Sequence, residues 1–197
     1  MIKETKWSID PSHSEIGFKI RHLMISNIKG LFTKFDSNIS IAGNDFTTAE
    51  IDVWIDPASI NTWDEKRDKH LRSPEFFDVS KYNEITFTSG KLKKSRKTGF
   101  FKLTGNLKMK DITQEVKLDA SYGGKMKDPW GNEKVGFVIT GDINRKDWEL
   151  GWNTTLDYGG MMLGDQVHIH CEIELIKKNP AEKIMQAESS HNEEVAV

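Results

Sequence analysis

The densest set of chemistry-bearing side chains in the sequence is Arg67, Asp68, His70, Arg72 and Asp78. A guanidinium fork grips two oxygens of a phosphate or carboxylate at once, so Arg67 or Arg72 could hold a polar or phosphorylated headgroup. So close a mix of opposite charges reads first, however, as an ion-pair network that pins a short helix. Arg145 and Asp147 are placed to form a similar pair at a strand end. His168 and His170 stand two apart, a spacing that puts both on one face of a strand and that metal ligands can use. Val167, Ile169 and Cys171 claim the inward face of that strand, so both imidazoles are expected outward, with His13 and His22 as unplaced alternatives. No metal site is assigned. The sequence carries no HExxH, no phosphate-binding glycine loop and no GxSxG elbow, so no catalytic residue is assigned either.

The elements that must position these residues are strands. Ile16, Phe18 and Ile20 alternate with charged residues, as do Ile51, Val53 and Ile55, then Ile85 and Phe87. Leu103, Leu107 and Met109 repeat the rhythm, followed by Val116 with Leu118 and by the run from Val167 to Leu175. Period-two alternation of this kind marks strands with one apolar and one wet face. Turn residues at Gly43–Asp45, Ser89–Gly90, Lys97–Gly99, Gly123–Gly124 and Asp128–Asn132 predict reversals between them. One stretch, Thr62–Ser73, breaks the rhythm; Thr62 with Glu65 fits a capping box, and Pro74 ends a short helix. The polar residues 179–197 read as a disordered tail after a single domain over 1–178.

Many short strands joined by tight turns imply an antiparallel meander that closes into a barrel. The expected inward set is Ile16, Phe18, Ile20, Phe32, Ile51, Val53, Phe87, Leu103, Leu107, Val138, Ile169 and Cys171. About eight strands leave an interior that side chains fill or that holds one small ligand. Large apolar residues also fall in irregular segments. Met24, Phe76, Phe77, Trp148, Met161 and Met162, with Arg67 and Arg72, are therefore expected at a mouth, unless they plug the barrel ends. An apolar lumen gains about 0.8 kcal/mol for each CH₂ it takes from water.

Several motifs then fall in a familiar order. They are Trp7–Ser14, Ile16–Phe18, Arg21–Met24, Lys29–Phe32 with Phe35–Asp36, Asn61–Thr62, Arg67–Asp78, Gly105–Leu107, Lys110–Thr113, Asn144–Asp147 and Gly164–Asp165. Together they resemble the YceI-like family of polyisoprenoid-binding proteins from about Trp7 to Leu175. The resemblance implies an all-β fold, an extended, lipocalin-like, eight-stranded antiparallel barrel with a short helix between strands. It implies a long isoprenoid ligand, such as a quinone tail or polyprenyl chain, held without any cofactor for storage, transport or stress response. It is also compatible with a homodimer.

Composition narrows the alternatives. The formal net charge is −2 over 197 residues with both signs interspersed, which argues against nucleic acid as a partner. The basic run Lys91, Lys93, Lys94, Arg96 and Lys97 reads as a solvated hairpin tip. No apolar run reaches the roughly 20 residues of an integral membrane segment. The N-terminal residues hold no apolar signal-peptide region. The expected location is the cytoplasm, or the periplasm for a chain whose leader has been removed. Cys171, the single cysteine, reads as a buried hydrophobe. Two rival functions are a metal- or haem-dependent or isoprenoid-modifying enzyme using His168, His170 or His22, and a filled barrel serving as a structural or dimerisation module.

Overall fold

The computed structural model describes residues 3–156 and 159–178, so the expected tail at 179–197 lies outside the described residues. The strands in chain order are β1 (Glu4–Ile9), β2 (Glu15–His22), β3 (Ser26–Phe32), β4 (Phe35–Ala42), β5 (Asp45–Ile55) and β6 (Ile60–Asn61). Helix α1 (Glu65–Arg72) follows, then β7 (Ile85–Lys94), β8 (Phe100–Met109), β9 (Ile112–Lys127), β10 (Glu133–Asn144) and β11 (Leu163–Lys177). All pairings are antiparallel, and β1 meets β11 through Trp7↔Lys177 to Ile9↔Leu175, closing a barrel of eight strands.

Three of the barrel's strands are broken once. β1 and β2 lie end to end along one edge of β11, β3 and β4 form the returning arm, and β5 with β6 forms the next. Proline marks two of the breaks, Pro11 and Pro57, because it has no N–H to give a ladder. Side chains satisfy the backbone groups released there. Ser37 Oγ accepts from Ile9 N at 2.8 Å, Ser14 Oγ accepts from Glu174 N at 2.9 Å, and the Asp56 carboxylate accepts from Ala58 N at 2.8 Å.

Two expected reversals are not turns. Ser89–Gly90 and Gly123–Gly124 lie within β7 and β9, where the pairing shifts register. Glycine here supplies a bulge rather than a reversal, as the positive φ of 129° at Gly124 shows. The helix also starts later than the capping box implied. Asp64 is its N-cap, accepting from Arg67 N at 3.0 Å. Thr62 instead donates its N–H and hydroxyl to the buried Asp68 carboxylate, at 2.9 and 2.5 Å.

The expected ion-pair network resolves mostly into bonds to backbone. Arg72 donates to the carbonyls of Ala58 and Ile60 at 2.7 and 2.8 Å, and Arg67 donates to the hydroxyl and carbonyl of Thr62 at 2.7 and 2.6 Å. The helix is thereby fastened to the break between β5 and β6. His70 contacts Glu75 at 2.5 Å and stands edge-on to Trp152 and Phe76, spanning the barrel end. Arg145 does not pair with Asp147. It is 3% exposed, approaches Asp165 at 3.5 Å, and donates to the carbonyls of Gly164, Leu150 and Trp152. Burial lowers its pKa against the pull of Asp165, yet guanidinium stays charged because its starting value is so high.

Two predictions follow from these fastenings. Arg145→Ala should cost about 3 kcal/mol in denaturant unfolding, since it strands three carbonyls at a buried site. A cost below about 1 kcal/mol would remove Arg145 from its structural role. The second concerns acid. Burial opposes ionisation of Asp10, but hydrogen bonds from Lys134, Ser12 and His13 overcome it and hold the carboxyl far below its usual range. Lys125 and Lys177 bring Glu133 down to about 2. Both carboxylates therefore stabilise the fold above about pH 4.5, and that contribution drains away as the pH falls toward 2. Glu133→Gln should flatten the loss of stability between pH 5 and pH 2; an unchanged slope would contradict the assignment.

Candidate ligand-binding cavity

The inward side chains do not fill the barrel. They enclose a cavity of about 620 Å³, within the roughly 300–1,000 Å³ typical of ligand pockets. Every residue expected in the lumen lines it except Val138. On β10 the inward positions are Phe137 and Ile139, and Val138 points to the outer face opposite Ser121 and Glu172. Residues 137–139 are apolar on both faces, so alternation alone could not choose between them.

Two cross-strand details show how the wall is shaped. Phe18 pairs with Gly30 across β2 and β3, and a Cβ on Gly30 would lie 2.4 Å from the Phe18 ring. Gly105 plays the same part for Phe87, where the distance would be 2.5 Å. Each ring takes up the space that a side chain at the glycine would fill. Cys171 also faces the cavity, and burial pushes its thiol up to about 12, which makes it an inert part of an apolar wall.

One end of the cavity is shut by aromatic packing. Phe46 stands 5.6 Å from Trp7 and 5.3 Å from Phe137, ring centre to ring centre, inside a cluster with Ile9, Ile39 and Leu175. The other end carries the polar lining: His22, Lys66, Arg67, His70 and Arg145, with Asp64. Among the described residues, cationic groups outnumber the single carboxylate there. Of the expected mouth residues, Arg67, Phe76, Phe77 and Met162 line the cavity, and Arg72, Met24, Met161 and Trp148 do not. Arg72 is occupied by backbone carbonyls. Met24 and Met161 sit exposed outside the rim. Trp148 is a plug, 1% exposed, its indole N–H donating to the Leu107 carbonyl at 3.1 Å.

Sequence reasoning passed over His22, Lys66, His70 and Trp152 as lining residues. His22 had a legible signal, for it extends the series Ile16, Phe18, Ile20 by one more step. Trp152 had none, because it lies in a segment without period. His168 and His170 face outward, near Asp142 at 2.8 Å and Glu172 at 3.6 Å. Among the described residues, one trio of metal-capable groups comes together, Asp10, His13 and Glu174. Lys134 Nζ already lies 2.5 Å from Asp10 and 2.9 Å from Glu174, so an ammonium supplies the positive charge there.

Known proteins share this architecture. A YceI-like domain profile matches residues 7–175. The chain is 37% identical over 171 residues to the UPF0312 protein SAS2572 of Staphylococcus aureus MSSA476, spanning 86% of this chain and 96% of that one. The crystal structure of the Campylobacter jejuni YCEI protein is similar at 35% identity and a TM-score of 0.67, covering 86% of this chain and 96% of that one. Two more distant structures share the fold. BcnA of Burkholderia cenocepacia has 18% identity, a TM-score of 0.72, and coverage of 84% and 98%. A polyisoprenoid binding domain from Saccharophagus degradans has 14% identity, a TM-score of 0.64, and coverage of 87% and 98%. The closed barrel, the motif order and these likenesses agree: the chain belongs to the YceI-like family.

Proposed function

We propose that the barrel holds one long isoprenoid chain along its axis, with the polar headgroup at the α1 end, as a carrier or store and not as an enzyme. The observation that carries this reading is the polarity of the cavity. Its wall is apolar along most of its length, and its charged lining residues gather at one end. A linear amphiphile with one greasy tail and one polar head fits that division; a compact polar substrate does not. The polyisoprenoid-binding domain among the structural neighbours supports the same ligand class.

The energetics suit a chain of this kind. At about 0.8 kcal/mol per CH₂, tens of carbons gain well over ~10 kcal/mol gross. Ordering the chain consumes part of that, and the double bonds of an isoprenoid reduce the loss. Apolar contact scarcely distinguishes one lipid from another, so selectivity falls to Arg67, Lys66, His70 and His22 at the polar end.

Native mass spectrometry of purified protein, followed by organic extraction, should reveal a bound prenyl lipid. Protein that is consistently empty and also rejects added quinone would overturn the reading. A matched pair of variants tests the lumen itself. Val53→Trp projects into the cavity and should cut quinone capacity at least fivefold while costing about 1–3 kcal/mol in stability. Val138→Trp adds the same ring on the outer face and should leave capacity unchanged. Equal capacity in both would place the ligand outside the barrel.

A further inference from the structure

We propose that the tip of the β2–β3 hairpin docks on anionic lipid bilayers, setting Met24 and Ile25 into the interface beside the polar end of the cavity. The docking stands on its own observations, whereas its use in lipid exchange rests on the isoprenoid reading above.

The tip is unusual in two independent ways. Met24 and Ile25 are 63% and 79% exposed, at a turn where solvent would favour polar residues. Leu23 and Met24 also hold left-handed backbone, with φ of 51° and 60°, and Ile25 N closes the turn on the His22 carbonyl at 3.2 Å. Tight hairpin turns with two positive φ values are normally built from Asn-Gly or similar pairs, because a Cβ is strained there. This tip therefore carries both strain and exposed apolar surface where Asn-Gly would carry neither. It is held in place all the same. The Arg21 guanidinium donates to the Met24 carbonyl at 2.7 Å, and Leu23 N donates to the Met162 carbonyl at 2.8 Å.

The charge behind the tip selects the partner. From Ile16 to Phe35 the sequence has Lys19, Arg21, Lys29 and Lys34 and no carboxylate. Lys19 and Lys29 are direct cross-strand partners, exposed on the outer face, although like charges so placed repel. Among the described residues no carboxylate lies within ion-pairing distance of Lys19, Arg21 or Lys29. Unpaired cations behind an apolar tip are the arrangement that anionic lipid headgroups attract. The tip is also continuous with the cavity, since His22 at its base and Met162 bonded to it both line the wall.

The opposite end of the barrel offers a contrast. Trp130 is 83% exposed there, but its turn is built conventionally, with Asp128 accepting from Trp130 N and Asn132 N and with Gly131 at the positive φ. Nearby, Glu133 pairs with Lys125 and Lys177. Arg96 and Lys97 sit in the β7–β8 turn toward that end and supply a charge control.

The test uses vesicles of equal phosphatidylglycerol and phosphatidylcholine, with phosphatidylcholine alone as reference. The parent protein should co-sediment with the first and not the second. Met24→Ser with Ile25→Ser, and separately Lys19→Glu with Lys29→Glu, should each lower the partition coefficient at least tenfold. Arg96→Glu with Lys97→Glu should stay within twofold. An environment-sensitive dye on Met24→Cys should shift to the blue on the anionic vesicles, and the same dye on Trp130→Cys should not; the buried Cys171 leaves labelling specific. Met24→Gly separates docking from folding, because it relieves the left-handed strain. Its Tm should rise while its partition falls. Tip variants that bind like the parent, a blue shift at Trp130→Cys instead, or binding that ignores lipid charge would each overturn the proposal. Quinone loading from detergent, measured on the same variants, should not change. Failed loading in the parent would sink the isoprenoid reading and leave the docking result standing.

Discussion

Closure of the sheet is the constraint from which the other features descend. Once β1 meets β11 the sheet closes into a ring, open at its edge only where β3 and β6 end beside α1, and every second side chain must point at a common axis. Eight strands set a circumference that Ile, Val and Phe do not fill when the rings of Phe18 and Phe87 are drawn in over glycines. Phe18 over Gly30 and Phe87 over Gly105 are thus part of what keeps the lumen open. The same arrangement explains why the wall can be so apolar. Backbone groups are spent on ladder bonds, leaving only side chains to face the interior.

The ends of the barrel solve a different problem. At one end, Trp7, Phe46 and Phe137 seal the interior with aromatic packing. At the other, the sheet is interrupted after β6, and α1 with residues 150–152 closes the space. That cover is tied down by guanidinium groups rather than by ladder bonds. Arg72 holds the helix to the β5–β6 break, and the buried Arg145 ties the carbonyls of Leu150 and Trp152 in irregular chain to that of Gly164 at the start of β11. A cover held by directional polar bonds can be positively charged where it faces the lumen, which gives the cavity its single polar pole.

Alternation made most of this legible in the sequence. The strands and nearly all of the lumen follow from one rule, that a period of two separates a wet face from an apolar one. The rule is silent where both faces are apolar, which is why Val138 stood in for Phe137 and Ile139. It is silent also where there is no period. Trp148 and Met162 are both large and apolar in irregular chain, yet one plugs a barrel end and the other lines the cavity. Local bonding decided Arg145, whose partners lie at Gly164, Leu150 and Trp152 and not at the adjacent Asp147. Ser89–Gly90 and Gly123–Gly124 misled because the same freedom of glycine that makes a reversal also makes a bulge within a strand. The resemblance supplied the order of the motifs and the ligand class, which no period could have given.

The seam at β1 and β11 has a kinetic meaning as well. Trp7 and Lys177 face each other across almost the whole length of the folded domain. Pairings so distant along a chain form late and slowly, since loop-closure entropy opposes them until much else is in place. β11 also bridges β10 and β2, so the barrel strand that comes last in chain order is the stave on which three others wait. Without it the ring has no closure, the apolar side of the sheet is uncovered, and the barrel has no inside at all.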